Sequence, residues 1–93
     1  MTIRVKVPAQ LRSAVSGLSE LEVDSADDLR GLISTLGTSH PDLVERILDE
    51  SGEIRRFVNI YVGDEDVRFL DGLATPLTPG EVVSILPAVA GGL

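Results

Sequence analysis

Gly91 and Gly92 are the residues of this sequence with the clearest potential for chemistry, because they stand together at the end of the chain. Glycine lacks Cβ, so two in succession can enter a narrow enzyme channel without steric hindrance at the reacting carbonyl. From Pro87 to Gly92, the extended chain reaches about 17 Å. The tail, which has no polar side chain, consists of Ala88, Val89, Ala90, Gly91 and Gly92. A Gly-Gly pair at a chain end can also be just a frayed terminus, so the pair predicts a reactive tail only in combination with the other features of the sequence.

The other side chains do not combine into a catalytic site. The sequence has no cysteine, so a disulfide, a thiol nucleophile and a thiolate metal site are excluded. His40 is the single histidine, and its place before Pro41 predicts a loop or capping role. The acidic run Asp64–Asp66 lacks the spacing of a calcium loop and predicts a solvated turn. No glycine-rich phosphate loop is present, so the sequence indicates no nucleotide site of this kind. We predict a protein that is not an enzyme and holds no metal or cofactor.

Composition limits the classes of protein to which this sequence can belong. Ninety-three residues suffice for one domain, and a content of 43% hydrophobic but only 3% aromatic residues predicts a core of valine, leucine and isoleucine. Fifteen acidic and eight basic residues give a net charge of -7, which opposes binding to nucleic acid. No run approaches the about 20 apolar residues that a bilayer requires, so we expect a cytoplasmic protein without membrane contact.

Hydrophobic periodicity predicts two strands in the first quarter of the chain. Residues 2–7 alternate, with Ile3, Val5 and Val7 on one face, as in a half-buried strand. After a predicted loop over residues 8–17, residues 18–23 alternate again, and this second strand should pair antiparallel with the first.

Two helices are predicted next. Ser25 can cap the first helix, and Gly37 is suited to end it. Pro41 can occupy the first position of the second helix, and Gly52 closes that segment. The two apolar stripes consist of Leu29, Leu32, Ile33 and Leu36, and of Leu43, Val44, Ile47 and Leu48.

Three strands are predicted in the rest of the chain. Residues 57–62 are the most β-prone stretch, with Val58, Ile60 and Val62 inward. A hairpin turn then leads to a short strand over residues 67–69, and the last strand covers residues 82–86. We infer an α+β fold of the ubiquitin-like β-grasp type: a mixed sheet of about five strands with helices packed on one face and the two end segments parallel at its centre. Residues 1–87 would form this domain, and residues 88–93 a flexible tail.

The sequence resembles the prokaryotic ubiquitin-like sulfur carriers of the MoaD/ThiS group. The resemblance is carried by the last strand, the proline and the Gly-Gly tail, which read PGEVVSILPAVAGG over residues 79–92. Further upstream, RFVNIYV at residues 56–62, DEDVRF at 64–69 and GLAT at 72–75 look like the CysO branch of the group, which serves cysteine biosynthesis. Over residues 1–54 the similarity lies in the order and length of the elements.

This resemblance implies a defined chemistry at Gly92. An E1-like adenylyltransferase and sulfurtransferase uses ATP to convert the Gly92 carboxylate into an acyl-adenylate, and a sulfur donor then displaces AMP to leave a thiocarboxylate. The thiocarboxylate gives its sulfur to an acceptor enzyme such as a cysteine synthase or a thiosugar synthase. In the cysteine branch a zinc-dependent hydrolase releases the product. Leu93 blocks the carboxylate, and is either a remnant of an expression tag or part of a precursor that a peptidase trims.

A partner surface is expected beside the tail, because outward apolar residues on the last strands would dock an enzyme. Cover of these residues by a loop or helix is the alternative. The predicted partner-binding residues are Arg55, Arg56, Phe57, Tyr61, Val82 and Leu86. Other acceptors, namely pterin, thiazole or thiosugar precursors, would use the same tail chemistry. A ubiquitin-like binding module or protein modifier would use the same fold, but the module would need no free glycine carboxylate and the modifier would form isopeptides.

Overall fold

The computed structural model describes residues 2–87. These residues form a five-stranded sheet with α-helices and short 3-10 helices. The strands are β1 (Ile3–Lys6), β2 (Glu20–Val23), β3 (Val58–Val62), β4 (Glu65–Asp66) and β5 (Val82–Pro87). The α-helices are α1 (Leu29–Ser39) and α2 (Pro41–Ile47), and the 3-10 helices span Ala9–Val15, Val67–Phe69 and Gly72–Ala74.

The sheet has the strand order β2-β1-β5-β3-β4. The terminal strands β1 and β5 pair in parallel at its centre, and the other neighbours are antiparallel. The predicted mixed sheet is therefore confirmed, including the parallel pairing of the two end segments.

Alternating side chains explain why the sheet has one buried face. In β1, Ile3 and Val5 are fully buried, while Arg4 and Lys6 are exposed. In β3, Val58, Ile60 and Val62 face the interior as predicted. The hydrophobic core among the described residues consists of valine, leucine and isoleucine, as the composition predicted. Both α-helices contribute their apolar stripes to this core, so the helices lie on one face of the sheet.

The start of α1 differs from the prediction. Asp28, and not Ser25, is the N-cap, and its carboxylate accepts a hydrogen bond from the Gly31 amide at 2.8 Å. Asp28 also forms an isolated bridge with Pro76, so a contact with a distant part of the chain holds it in extended conformation at the cap position.

α1 also ends later than the predicted end at Gly37. The helix continues through Gly37 to Ser39, and stops because the residue before a proline is disfavoured in the helical conformation. That residue, His40, has φ -135° and ψ 65° and lies between the two helices. Its backbone carbonyl accepts a hydrogen bond at 3.1 Å from the Leu43 amide in the first turn of α2, which confirms the loop or capping role.

Two further expectations about the connections are wrong. The helix that starts at Pro41 ends at Ile47 and not at Gly52, because Leu48 leaves the helix to bridge with Ile54. The predicted loop over residues 8–17 contains the 3-10 helix Ala9–Val15, whose buried residues Leu11 and Val15 belong to the core.

The fourth strand is displaced from its predicted position. β4 consists of Glu65 and Asp66, and residues 67–69 form a 3-10 helix instead of a strand. Val67 is fully buried, whereas the next two residues are exposed, and Phe69 exposes 88% of its surface. A strand on the sheet would need buried and exposed residues in alternation. Here one buried residue is followed by two exposed ones, as in a turn.

Candidate functional site

The root of the tail lies at the end of the central strand. β5 is held by β1 on one side and by β3 on the other, and Pro87 lies opposite Val58 in the register. The predicted tail and adenylation residues, Ala88, Val89, Ala90, Gly91 and Gly92, lie outside the described residues, as does Leu93. Their roles therefore remain predictions, but the strand from which the tail departs is fixed at the centre of the sheet.

An apolar surface lies on the outer side of the sheet beside this root. We call it the apolar face and define it by the predicted residues Phe57, Tyr61, Val82 and Leu86. Phe57 and Leu86 expose 55% and 46% of their surface, while Tyr61 and Val82 are half-buried. Tyr61 lies opposite Ser84, and so is diagonal to both Val82 and Leu86, within the reach of an aromatic ring. The solvent exposure of Phe57 and Leu86 argues against their being covered by a loop or helix.

The other half of the outer sheet surface is charged. Arg4 and Lys6 on β1 alternate with the inward residues, and lie beside Glu20 and Glu22 of β2. One ion pair joins Arg4 and Glu20 at 4.0 Å, but both side chains are well exposed, so it contributes little to stability. A partner that covers this surface would meet apolar groups next to the tail and charges of both signs further away.

Arg55 and Arg56 lie in the turn that leads into β3. The Val58 amide donates a hydrogen bond to the Arg55 carbonyl at 3.1 Å, which closes the turn. Arg55 is half-buried, and its Nε donates to the Glu45 carbonyl of α2 at 3.1 Å. Arg56 is exposed. Of the two predicted arginines, Arg56 is therefore the more accessible to a partner.

Arg68 also belongs to this site, although its place in the sequence predicts no role for it. Its guanidinium donates hydrogen bonds to the carbonyls of Arg55 at 2.9 Å and Val58 at 2.7 Å, and to the Asn59 side chain at 2.6 Å. These acceptors lie 9 to 13 positions earlier in the sequence. No local pattern indicates such contacts, because they depend on how the 3-10 helix Val67–Phe69 packs beside β3.

Within residues 2–87, no three side chains of the metal-binding types come together in a group that could hold an ion. The acidic hairpin Asp64–Asp66 instead has a structural role, in which the Asp66 carboxylate accepts a hydrogen bond from the Arg68 amide at 2.8 Å. None of the helices in the described part of the chain is long and apolar enough to cross a bilayer.

A mixed five-stranded sheet with the parallel end strands at its centre and helices on one face defines the class of ubiquitin-like β-grasp proteins. The sequence profile of the ThiS family matches residues 5–92. The chain therefore belongs to the ThiS family of ubiquitin-like sulfur carriers.

Individual relatives agree with this assignment. The sulfur carrier protein CysO of Mycobacterium tuberculosis is 47% identical over 94 residues, which cover 99% of this chain and 100% of the relative. Its crystal structure superimposes with a TM-score of 0.87 at 45% identity, over 94% of this chain and 99% of that one. The structure of the Amycolatopsis orientalis BexX/CysO complex contains a chain that matches with a TM-score of 0.89 at 36% identity, over 97% and 99%. Small archaeal modifier protein 3 of Haloferax volcanii is 36% identical over 70 residues, or 75% of each chain.

Proposed function

We propose that this protein is a sulfur carrier that serves cysteine biosynthesis, and that its reactive group is the carboxylate of Gly92. The observation that carries the proposal is the match to CysO along almost the whole of both chains. The family profile also extends to Gly92 and stops before Leu93. The chain would act as a co-substrate of partner enzymes, since sulfur carriers are not catalysts themselves.

The proposed cycle begins in an E1-like enzyme that binds ATP. A Gly92 carboxylate oxygen attacks the α-phosphorus, so that pyrophosphate leaves and an acyl-adenylate forms. A sulfur donor then attacks the acyl carbon, AMP leaves, and the terminus becomes a thiocarboxylate. In the acceptor enzyme, this sulfur attacks an activated acceptor derived from O-phosphoserine. Hydrolysis by a zinc-dependent enzyme would then release cysteine and regenerate the carrier.

The structure supports this proposal through the position of Pro87, the residue that precedes the tail. The tail leaves from a strand that is hydrogen-bonded on both sides, next to the solvent-exposed residues of the apolar face. A partner enzyme can bury the apolar face while the tail extends into its active site. The domain thereby supplies binding energy, and the tail supplies the reacting atoms.

Leu93 provides the test, because a peptide bond to a further residue removes the Gly92 carboxylate. We expect the chain that ends at Gly92 to be adenylated and converted to a thiocarboxylate, and the chain that ends at Leu93 to remain unchanged. Intact-protein mass spectrometry after incubation with the activating enzyme, ATP and sulfide detects the replacement of one oxygen by sulfur. An unchanged mass for the Gly92-ended chain would contradict the proposal.

Protein modification is a second candidate function, which the similarity to small archaeal modifier protein 3 favours. A modifier would join Gly92 to lysine side chains of other proteins through isopeptide bonds. The two functions differ in the product, because a sulfur carrier gives up its sulfur and regains a free Gly92 carboxylate, whereas a modifier stays joined to the lysine through its Gly92 acyl group. Lysines that carry residues 69–92 of this chain through an isopeptide bond, which is the peptide that trypsin leaves after cleavage at Arg68, would support modification when found by mass spectrometry in cells that produce the Gly92-ended chain. Delivery to a pterin, thiazole or thiosugar precursor would differ from the cysteine pathway only in the acceptor enzyme.

A further inference from the structure

The turn that leads into β3 is tied to a single side chain from another part of the fold. Arg68 Nη2 donates hydrogen bonds to the carbonyls of Arg55 at 2.9 Å and Val58 at 2.7 Å. The Arg56 carbonyl lies 3.3 Å from the same nitrogen and shares one of its two protons. Nη1 donates to Oδ1 of Asn59 at 2.6 Å. One guanidinium therefore contacts four acceptors within five consecutive residues.

An arginine is suited to this arrangement because its planar fork fixes the directions of its donors. β3 begins at Val58, so the carbonyls of Arg55 and Arg56 precede the strand and lie outside its ladder. The guanidinium supplies donors where the sheet does not. Arg68 is itself anchored, since its amide is bonded to the Asp66 carboxylate at 2.8 Å and the preceding residue, Val67, is fully buried.

The residues held in this way coincide with the candidate partner surface. The turn contains Arg55, Arg56 and Phe57, which are three of the six predicted partner-binding residues. The next residue, Val58, lies opposite Pro87, the last described residue before the tail. The conformation of the turn therefore determines where Phe57 projects relative to the root of the tail.

We propose that Arg68 is a positioning residue for the activation reaction, which holds the Arg55–Val58 turn in the conformation that the activating enzyme binds. Preorganisation of a binding surface improves affinity because less conformational entropy is lost on association. The enzymatic test of this inference rests on the proposed function. How firmly the turn is held in one conformation can be measured without any enzyme.

The expected role differs from a general contribution to stability. Arg68 is exposed, and so are three of its four hydrogen bonds, so water can hydrate the carbonyls when the guanidinium is removed. Replacement of Arg68 should therefore loosen the turn and leave the core intact. Binding of the activating enzyme should weaken, whereas the chemical step should proceed at its normal rate once the tail is bound.

The test compares Arg68→Met and Arg68→Lys with Arg30→Met, all in the chain that ends at Gly92. Arg30 is an exposed residue of α1 at a distance from the turn. Arg30→Met makes the same change in charge and side chain as Arg68→Met and therefore serves as its control. Amide hydrogen exchange is measured first. We expect faster exchange at Val58 in Arg68→Met and unchanged exchange at core amides such as Leu32. Lysine should restore little of the protection, because its ammonium cannot reproduce the planar fork.

The enzymatic measurement is the rate of pyrophosphate release by the activating enzyme as a function of carrier concentration. We expect Arg68→Met to raise KM for the carrier about tenfold, which corresponds to a loss of about 1.4 kcal/mol, with kcat within about twofold of the unsubstituted chain. Arg30→Met should change neither parameter. An unchanged KM for Arg68→Met, or unchanged exchange at Val58, would overturn the inference. If the unsubstituted chain is not adenylated at all, the proposed function fails instead.

Discussion

Replacement of Phe57 by serine provides the most direct test of the apolar face. Phe57 exposes 55% of its surface. A phenylalanine offers roughly 200 Å² for burial, so about 110 Å² remains available to a partner. At about 25 cal/mol per Å², burial of this area stabilises a complex by at most about 3 kcal/mol. Ordering costs reduce the net effect, so we expect Phe57→Ser to weaken binding of the activating enzyme by about 10- to 100-fold.

The substitution should leave the domain folded. The part of Phe57 that already packs against the domain is about 90 Å², and its loss costs at most about 2 kcal/mol. A domain of this size is expected to have a stability of roughly 5 to 14 kcal/mol. Urea unfolding monitored by circular dichroism would measure the loss, and identical spectra before the transition would verify that the fold survives.

Phe69 is the matched control. Phe69→Ser is the same chemical change at an aromatic residue that exposes 88% of its surface, follows β4 and lies outside the apolar face. Isothermal titration calorimetry with the activating enzyme should show a large loss of affinity for Phe57→Ser and nearly unchanged affinity for Phe69→Ser. Equal affinities for Phe57→Ser and the unsubstituted chain, with both proteins folded, would refute the assignment of Phe57 to the partner surface.

Two further predictions concern α1. Asp28→Ala removes the N-cap hydrogen bond to the Gly31 amide and should lower the free energy of unfolding by about 1 kcal/mol, measured by urea denaturation; no change would show that the cap is dispensable. Gly37→Ala should raise it by about 0.5 to 1 kcal/mol, because glycine is unfavourable within a helix and the new Cβ would lie 3.7 Å from a Val44 methyl group, which is ordinary contact. A lower melting temperature for Gly37→Ala would contradict this packing argument.

Periodic patterns predicted four of the five strands, because β1, β2, β3 and β5 each bury one face. The inward positions of Val58, Ile60 and Val62 follow from alternation alone, and their burial requires no knowledge of the partner strands. The order of the elements predicted that the two end strands lie side by side, because that order suits a mixed sheet with a parallel pair at its centre. The structure confirms this pairing. The apolar face followed from the outward positions on these strands.

Several of the errors lie where distant contacts decide the local structure. Both Ser25 and Asp28 can cap a helix, and the bridge between Asp28 and Pro76 favours the second. Val67 resembles a strand residue because it is apolar and fully buried, but it is the anchor of a 3-10 helix. Arg68 has no local pattern at all, because its acceptors belong to a turn that comes close only after β3 and the 3-10 helix have packed together.

The central position of β5 has a mechanical consequence for a protein that is handled by its end. A pull on the tail acts along β5, across three registered residue pairs with β1 and five with β3. Because ladder hydrogen bonds lie across the strand direction, such a force shears both ladders at once instead of opening them one bond at a time. An enzyme that draws the terminus into a channel would therefore pull against both ladders together, and the domain should resist unfolding from this end.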